Sequence, residues 1–374
     1  MTTKNVWRWV AGVIVATTAI AIALVGGTRT IQGTGQDITI SSSAILSGDF
    51  GKVIVNGGGS ESNPLIITGG HVRCLEISGV YIVASGIDVS GCSSHGIYIK
   101  GQHILVQDNT VHGNVLENKS GTVCGNAQWG SAIKVYVGAE DIMIRGNNVY
   151  ENCGEGIGVT RGVQVVVDGN TVRDNFSVNI YVDNSPYTEV YNNVSICLNS
   201  SYYRDGGAAK GIMLGMENYQ GWGNQLHDVT IDGNYIVGCK GIRTYTNING
   251  ASPIPPITIT NNKFQGVVQP YVSVVNSVVN NNVAFIGPVP PVTTSTPLSL
   301  ASTTIPSSKT STITISPAPS LIVATNTSTP TATSMPTKTP TIFFVSTQTY
   351  TPIATLCFPI YAGTEKTYIG QYCK

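Results

Sequence analysis

One short phrase recurs along the chain and leaves little choice of fold. "ILVQDNTV" carries Asn109, "IMIRGNNV" Asn147, "VVVDGNTV" Asn170, "EVYNNVSI" Asn193, "VTIDGNYI" Asn234, "ITITNNKF" Asn262 and "VVNNNVAF" Asn282. Upstream, "VYIVASGI" places Ser85 in the same slot. From Ser85 the steps are 24, 38, 23, 23, 41, 28 and 20 residues: a basic period near 23, with two steps longer by about 15 to 18. A second phrase precedes the first in each period: "HGIYIK", "SAIKVYV", "EGIGVTRG", "VNIYVDN", "KGIMLG" and "KGIRTY", centred on Ile97, Ile133, Ile157, Ile180, Ile212 and Ile242. Apolar residues alternating with others mark half-buried strands, and the Gly and Asn between them mark corners. A period this short holds two or three strands and no helix. Self-similarity at a fixed short period is the signature of a solenoid.

A chain that turns three corners per period returns above its own start, so each coil is the template for the next at about 4.8 Å per step. The recurring Asn is expected at a corner, in left-handed geometry, bonding to nearby backbone. Stacked coils also let these Asn side chains bond to one another. The G-I-x-V and I-x-G-N-x-V units resemble the right-handed parallel β-helix repeats of the pectin-lyase-like superfamily, over about 250 residues. The expected fold is all-β: a right-handed parallel β-helix over residues 36–287, a single-stranded solenoid with coils of about 23 residues and two long loop insertions. The resemblance implies a long shallow groove on one strand face, often used on polysaccharides. It also implies basic catalytic residues in the lyases, in some cases with calcium. Hydrolases, epimerases, tailspikes and adhesins share the fold, which by itself does not choose among them.

Composition narrows the partners. Only 11% of the 374 residues are charged, and Lys+Arg balances Asp+Glu at 20 each. A nucleic-acid binder needs a basic surface to neutralise phosphates, so that class is excluded. Lys4 and Arg8 precede an uncharged apolar run from Trp9 to Val25, with Ala21-Ile22-Ala23 as a small-residue cleavage pattern. Residues 1–27 therefore read as a signal peptide or, left uncleaved, as an N-terminal membrane anchor; in either case the rest is secreted or on the cell surface. From Pro288 the composition turns to Thr, Ser and Pro, as in "TPTATSMPTKTPT", which reads as a stalk over 288–355 followed by a small C-terminal segment, 356–374.

Eight cysteines with no CxxC pair favour disulfides in an exported chain, or else small buried hydrophobes. Cys124 lies in the first insertion and Cys153 just past the corner of the next coil. Cys197 and Cys239 stand four and five residues past Asn193 and Asn234. These two pairs are expected, followed by Cys74–Cys92 and Cys357–Cys373.

The two long steps hold "HGNVLENKSGTVCGNAQWGS" and "CLNSSYYRDGGAAK", which leave the same corner, and a spacer, "MENYQGWGNQLHD", follows Ile212. Loops hung on a rigid scaffold commonly carry binding groups. Trp129, Tyr202, Tyr203, Tyr219 and Trp222 either offer platforms for sugar rings or pack their own loops. With the six Ile inside, Lys134, Tyr136, Glu155, Arg161, Tyr181, Asp183 and Lys210 share one outer face over four coils, with Arg243 further along it. This patch is the candidate site. β-Elimination of a uronate polymer would use Lys134, Arg161 or Lys210 to neutralise the substrate or act as base, and Tyr181 as proton donor. Hydrolysis would use opposed carboxylates, Glu155 and Asp183, with Glu217 in reserve. The aspartate cluster of calcium-dependent pectate lyases is missing, Asp183 with Asp205 being a thin substitute. So are the paired aspartates of β-helix polygalacturonases and the Asp-Pro-His-Glu motif of mannuronan epimerases. A solvated strand face, or a non-catalytic glycan-binding surface, uses the same residues. His103, His112 and His227 read as surface or corner residues.

Overall fold

The computed structural model describes residues 28–288, apart from 126–127, 200–201, 205–208 and 268–276, and the backbone of two further strands, Cys357–Ala362 and Thr367–Cys373. The chain divides into two units, 1–303 and 304–374. Residues 1–27, read as a signal peptide or anchor, and nearly all of 288–355, read as a stalk, lie outside the described residues. In the second unit the two strands pair antiparallel, with Cys357 opposite Cys373 in backbone register; their side chains, and so that disulfide, lie outside the description.

Strands of the first unit run from Arg29, ahead of residue 36, to Ala284, and each coil from Ile97 to Gln265 contributes three. Like elements of successive coils pair in parallel, which builds three sheets. The first contains Ile97–Ile99, Ser131–Val135, Glu155–Thr160, Val178–Asp183, Lys210–Met216 and Ile242–Thr246. The second runs from Leu65–Thr68 through Glu140–Arg145 and Val163–Asp168 to Ser277–Asn280. The third runs from Asp88–Ser90 through Thr110–His112 and Asn148–Tyr150 to Val283–Ala284. The long strands Ala44–Val55 and His71–Ile77 turn a corner and take part in more than one sheet.

The register puts like side chains over like. Ile97, Ile133, Ile157, Ile180, Ile212 and Ile242 form one interior file, each at most 1% exposed. The third sheet stacks Val89, Val111, Val149 and Val172 in the same way. Each such side chain contributes about 1.5–3 kcal/mol by leaving water, so the sum over coils is what holds the solenoid together.

The recurring Asn is fully buried from Asn109 to Asn262 and half-buried at Asn282, and its ladder is continuous. Each Nδ2 donates to the Oδ1 of the next coil: Asn109 to Asn147 (3.0 Å), then Asn170 (2.9 Å), Asn193 (2.9 Å), Asn234 (3.0 Å), Asn262 (2.9 Å) and Asn282 (2.9 Å). Left-handed backbone was expected at the Asn itself, and there the structure corrects the sequence reading. The left-handed residue is the one before it: Asp108, Gly146, Gly169, Asn192, Gly233, Asn261 and Asn281, with φ between 53° and 68°. That residue turns the corner, and the turn aims the Asn inward. Ser85 is likewise not in the ladder slot. It pairs with Gln107, and Ile87 stands opposite the ladder, giving its N–H to Asn109 Oδ1 at 2.9 Å. An apolar residue ends the ladder at the first turn that needs no further partner.

A second ladder, Asn114 to Asn152 (3.0 Å) to Asn175 (2.8 Å) to Asn179 (3.1 Å), lines the next corner. Three disulfides, Cys74–Cys92, Cys124–Cys153 and Cys197–Cys239, tie coils to coils and the first insertion to the solenoid.

Candidate active site

The outer face of the first sheet carries two side-chain files. Tyr98, Lys134, Gly158, Tyr181, Met213 and Arg243 lie in register, and beside them run Thr160, Asp183, Gly215 and Tyr245. Both insertions enter this sheet from the third-sheet corner, whereas residues 217–226 leave it toward the second sheet. Loops therefore stand along both edges, which is why charged groups on an outer face are buried.

Two glycines make room for the chemistry. A Cβ on Gly158 would stand 2.6 Å from Glu155 Oε2 and collide with Ser131 Oγ. The gap between Lys134 and Tyr181 is filled by the Glu155 carboxylate instead. A Cβ on Gly215 would stand 2.5 Å from Cε2 of Tyr181, whose ring lies over that position.

Glu155 accepts a hydrogen bond from Ser131 Oγ at 2.7 Å and lies 3.7 Å from Lys134 Nζ, with both side chains under 10% exposed. Burial raises its carboxyl above the usual range, against the pull of Lys134. Asp183 accepts at Oδ1 from the Glu217 N–H and from Asn184 Nδ2, each at 3.1 Å. Burial pushes Asp183 up to about 7; the Glu217 N–H opposes the rise and the Glu217 charge adds to it. The Tyr181 hydroxyl donates to Glu217 Oε1. Burial first, then the charges of Asp183 and Glu217, raise the phenol well above its ordinary value and keep it protonated.

Asn184 pins the neighbouring loop by donating to Glu217 O (2.8 Å) and accepting from Gln225 N (2.9 Å). The loop sets Trp222 at the rim, with Arg161 Cζ 4.8 Å from its ring, Tyr219 at 5.3 Å and Tyr136 at 6.2 Å. Tyr136 continues to Tyr98 (5.8 Å), on which His95 stacks at 4.9 Å. His95 Nδ1 accepts the Ser131 N–H at 3.0 Å, and burial, with Lys134 nearby, lowers it to about 4, so this ring is neutral at pH 7.

Of the residues singled out from sequence, Lys134, Glu155, Tyr181, Asp183 and Glu217 come together on the floor, with Arg161, Tyr136 and Trp222 at the rim. Lys210 lies one coil on, opposite Val178. Arg243 lies at the far end of the file, half-buried, donating to Ile242 O at 3.0 Å. Trp129 stands at the other corner, against Phe176 (6.1 Å) and Arg204 (4.7 Å). Tyr203 is no sugar platform: it is 8% exposed in the core and its hydroxyl donates to Asp174 at 2.9 Å, fastening the second insertion to the coil.

Sequence reasoning missed Ser131 and Asn184. Ser131 stands two residues before Ile133 as Glu155 stands before Ile157, a spacing that pointed to it; Asn184 had no such signal. Among the described residues no three His, Cys, Asp or Glu side chains are grouped to hold a metal, and Asp205 is outside them. The floor carboxylates already have Lys134, Ser131, Asn184 and a backbone N–H as partners, so the donor set does not suit calcium.

A model of the right-handed beta helix region family matches residues 21–209, just over half of the chain. The chain belongs to this family. No curated protein matches this β-helix chain in sequence. Among solved structures, the Dettilon tailspike protein is 15% identical over 68% of this chain and 60% of its own, with a TM-score of 0.33. For an alginate lyase from Paenibacillus sp. strain FPU-7 the values are 13%, 66%, 99% and 0.40. For the A-module of the Azotobacter vinelandii mannuronan C-5 epimerase AlgE6 they are 14%, 69%, 84% and 0.37.

Proposed function

We propose that this β-helix protein is exported, engages an extracellular polysaccharide along the outer face of the first sheet, and cleaves a uronate polymer there by β-elimination. The observation that carries the reading is Asp183, a buried carboxyl held at about 7, where a group serves as base at neutral pH. Elimination also needs a cation for the substrate carboxylate and an acid for the leaving oxygen. Arg161 supplies the first: it lies half-buried over Trp222, and among the described residues it has no acidic partner. Lys134 shares its charge with Glu155, so its part is to hold that buried carboxyl in place. Ionised Asp183 removes the proton from the sugar carbon beside the carboxylate. The carbon–oxygen bond to the next sugar breaks as the double bond forms, and the Tyr181 hydroxyl gives its proton to the departing oxygen. Tyr136, Trp222 and Tyr219 offer faces on which sugar rings stack.

Export is supported by the basic-then-apolar start of the sequence and by the three disulfides. Residues 288–355 belong to the same proposal as a stalk. The test is incubation with a panel of uronate polymers, following the ultraviolet absorbance of the new conjugated double bond. Absorbance rising on one polymer, and lost in Asp183→Asn, is expected. New reducing ends without absorbance would move the chemistry to hydrolysis by Glu155 and Asp183. Binding with neither product would make the face an adhesion surface.

A further inference from the structure

Away from the first-sheet cluster, near the start of the solenoid, three outer side chains stand in the order of an acyl-transfer relay. Asp49, His71 and Asp88 are in register on successive strands, and Ser90 lies two residues past Asp88 on the same face. His71 Nδ1 is 3.1 Å from Asp49 Oδ1, and His71 Nε2 is 2.9 Å from Ser90 Oγ. A carboxylate only accepts, so Nδ1 carries the proton and Nε2 is left to accept the Ser90 hydroxyl. Both ring nitrogens are thereby committed, and the ring is held with its basic side on the serine. Asp88 Oδ1 lies 3.2 Å from His112 Nε2, without a hydrogen bond to it, while both nitrogens of His71 go to Asp49 and Ser90. Arg73 follows His71 on the same face, and its Cγ passes 3.8 Å from the Cβ position of Gly91, the residue after Ser90. The Arg73 guanidinium itself goes to Asp37, Nη2 standing 3.8 Å from Oδ1, and is given no part in the relay.

We propose that Asp49, His71 and Ser90 form a second, hydrolytic site that removes small acyl groups from carboxylic esters, such as acetyl esters on a sugar polymer. Ser90 Oγ attacks the ester carbonyl carbon while His71 Nε2 takes its proton. The bond from that carbon to the alcohol oxygen breaks, and His71 returns the proton to the alcohol. Water then attacks the acyl-serine through the same base and releases the acid. Asp49 positions the imidazole. His71 and Ser90 are half-buried and Asp49 is exposed, an open arrangement that suits an ester projecting from a polymer. The site shares no residue with the first-sheet cluster and stands or falls without it.

The test uses the full, disulfide-bonded chain with a fluorophosphonate probe, mass spectrometry of the Ser90 peptide, and hydrolysis of p-nitrophenyl acetate. Expected are an adduct on Ser90, its loss in Ser90→Ala, and a fall in labelling rate and turnover of roughly 100-fold in His71→Ala. Asp49→Asn should slow both and Asp49→Glu restore them, whereas Asp183→Asn should change neither. No adduct on Ser90, or turnover surviving Ser90→Ala in folded protein, would overturn the proposal.

Discussion

Asp183 shows how much of the site is decided by one side chain's surroundings. Its folded value, about 7, lies above the ordinary 3.8. The folded state therefore holds a proton that the unfolded chain has lost, and stability falls as pH rises from about 4 to about 7, then levels off. Both hydrogen bonds to Asp183 arrive at Oδ1, so Asn keeps them without the charge. Asp183→Asn should match the parent protein at pH 4 and exceed it above pH 7 by up to about 4 kcal/mol in urea titrations. In the parent protein, turnover should rise with pH through about 7, and the variant should show none. Gly158 is the second sensitive position. Gly158→Ala puts a methyl 2.6 Å from Glu155 Oε2, so the carboxylate must leave its place against Ser131 and Lys134. We expect a folded protein, by circular dichroism, with turnover reduced about 10-fold or more as that preorganisation is lost.

Among the elements, the Asn ladder is the most consequential. A buried amide is costly unless its donors and acceptors are all met, and stacking meets them by repetition. Asn170 accepts from Asn147 N and Nδ2 and donates to Asn193 Oδ1 and Ile144 O, all at 2.9 Å. Asn170→Ala leaves several of these groups unpaired at once and should cost about 3 kcal/mol. Asn282, half-buried at the end of the ladder, has no later rung among the described residues; Asn282→Ala should cost about 1 kcal/mol. Equal losses in urea melts of the two variants would show that the ladder does not act as a stack. The repeat made the rung residue legible in sequence. Its conformation was misjudged because Gly-Asn, Asp-Asn and Asn-Asn pairs each offer two residues suited to a left-handed turn, and only the path of the next strand selects the first.

For the whole molecule, stability is close to a sum over coils, and cross-coil links carry weight beyond their number. Cys197–Cys239 closes a separation of 42 residues across the coil that carries the second insertion. Replacing both cysteines by serine should cost about 4 kcal/mol on the chain-entropy account, read as a lowered urea midpoint. The outer-face cluster is likewise a property of the assembled coils. Lys134, Glu155, Asp183 and Glu217 come from four strands or loops that meet only because Ile133, Ile157, Ile180 and Ile212 lie over one another.

The sequence by itself determined the coil, its period, the interior Ile file, the corner of the two insertions and three of the disulfide pairs. All of these follow from local rules repeated at a fixed spacing. It also told which strand side chains face outward, since alternation along a strand decides which of them leave the core. Only the tertiary structure decided which of those outer residues come together. Burial of Asp183, the hydrogen bond from Tyr181 to Glu217 and the placement of Arg161 on Trp222 depend on how residues 217–226 fold back over the sheet. A loop without a period carries no signal of its path. The separation between Tyr203, drawn into the core, and Trp222, left at the rim, was hidden for the same reason: both are aromatic residues in insertions, and packing alone tells them apart.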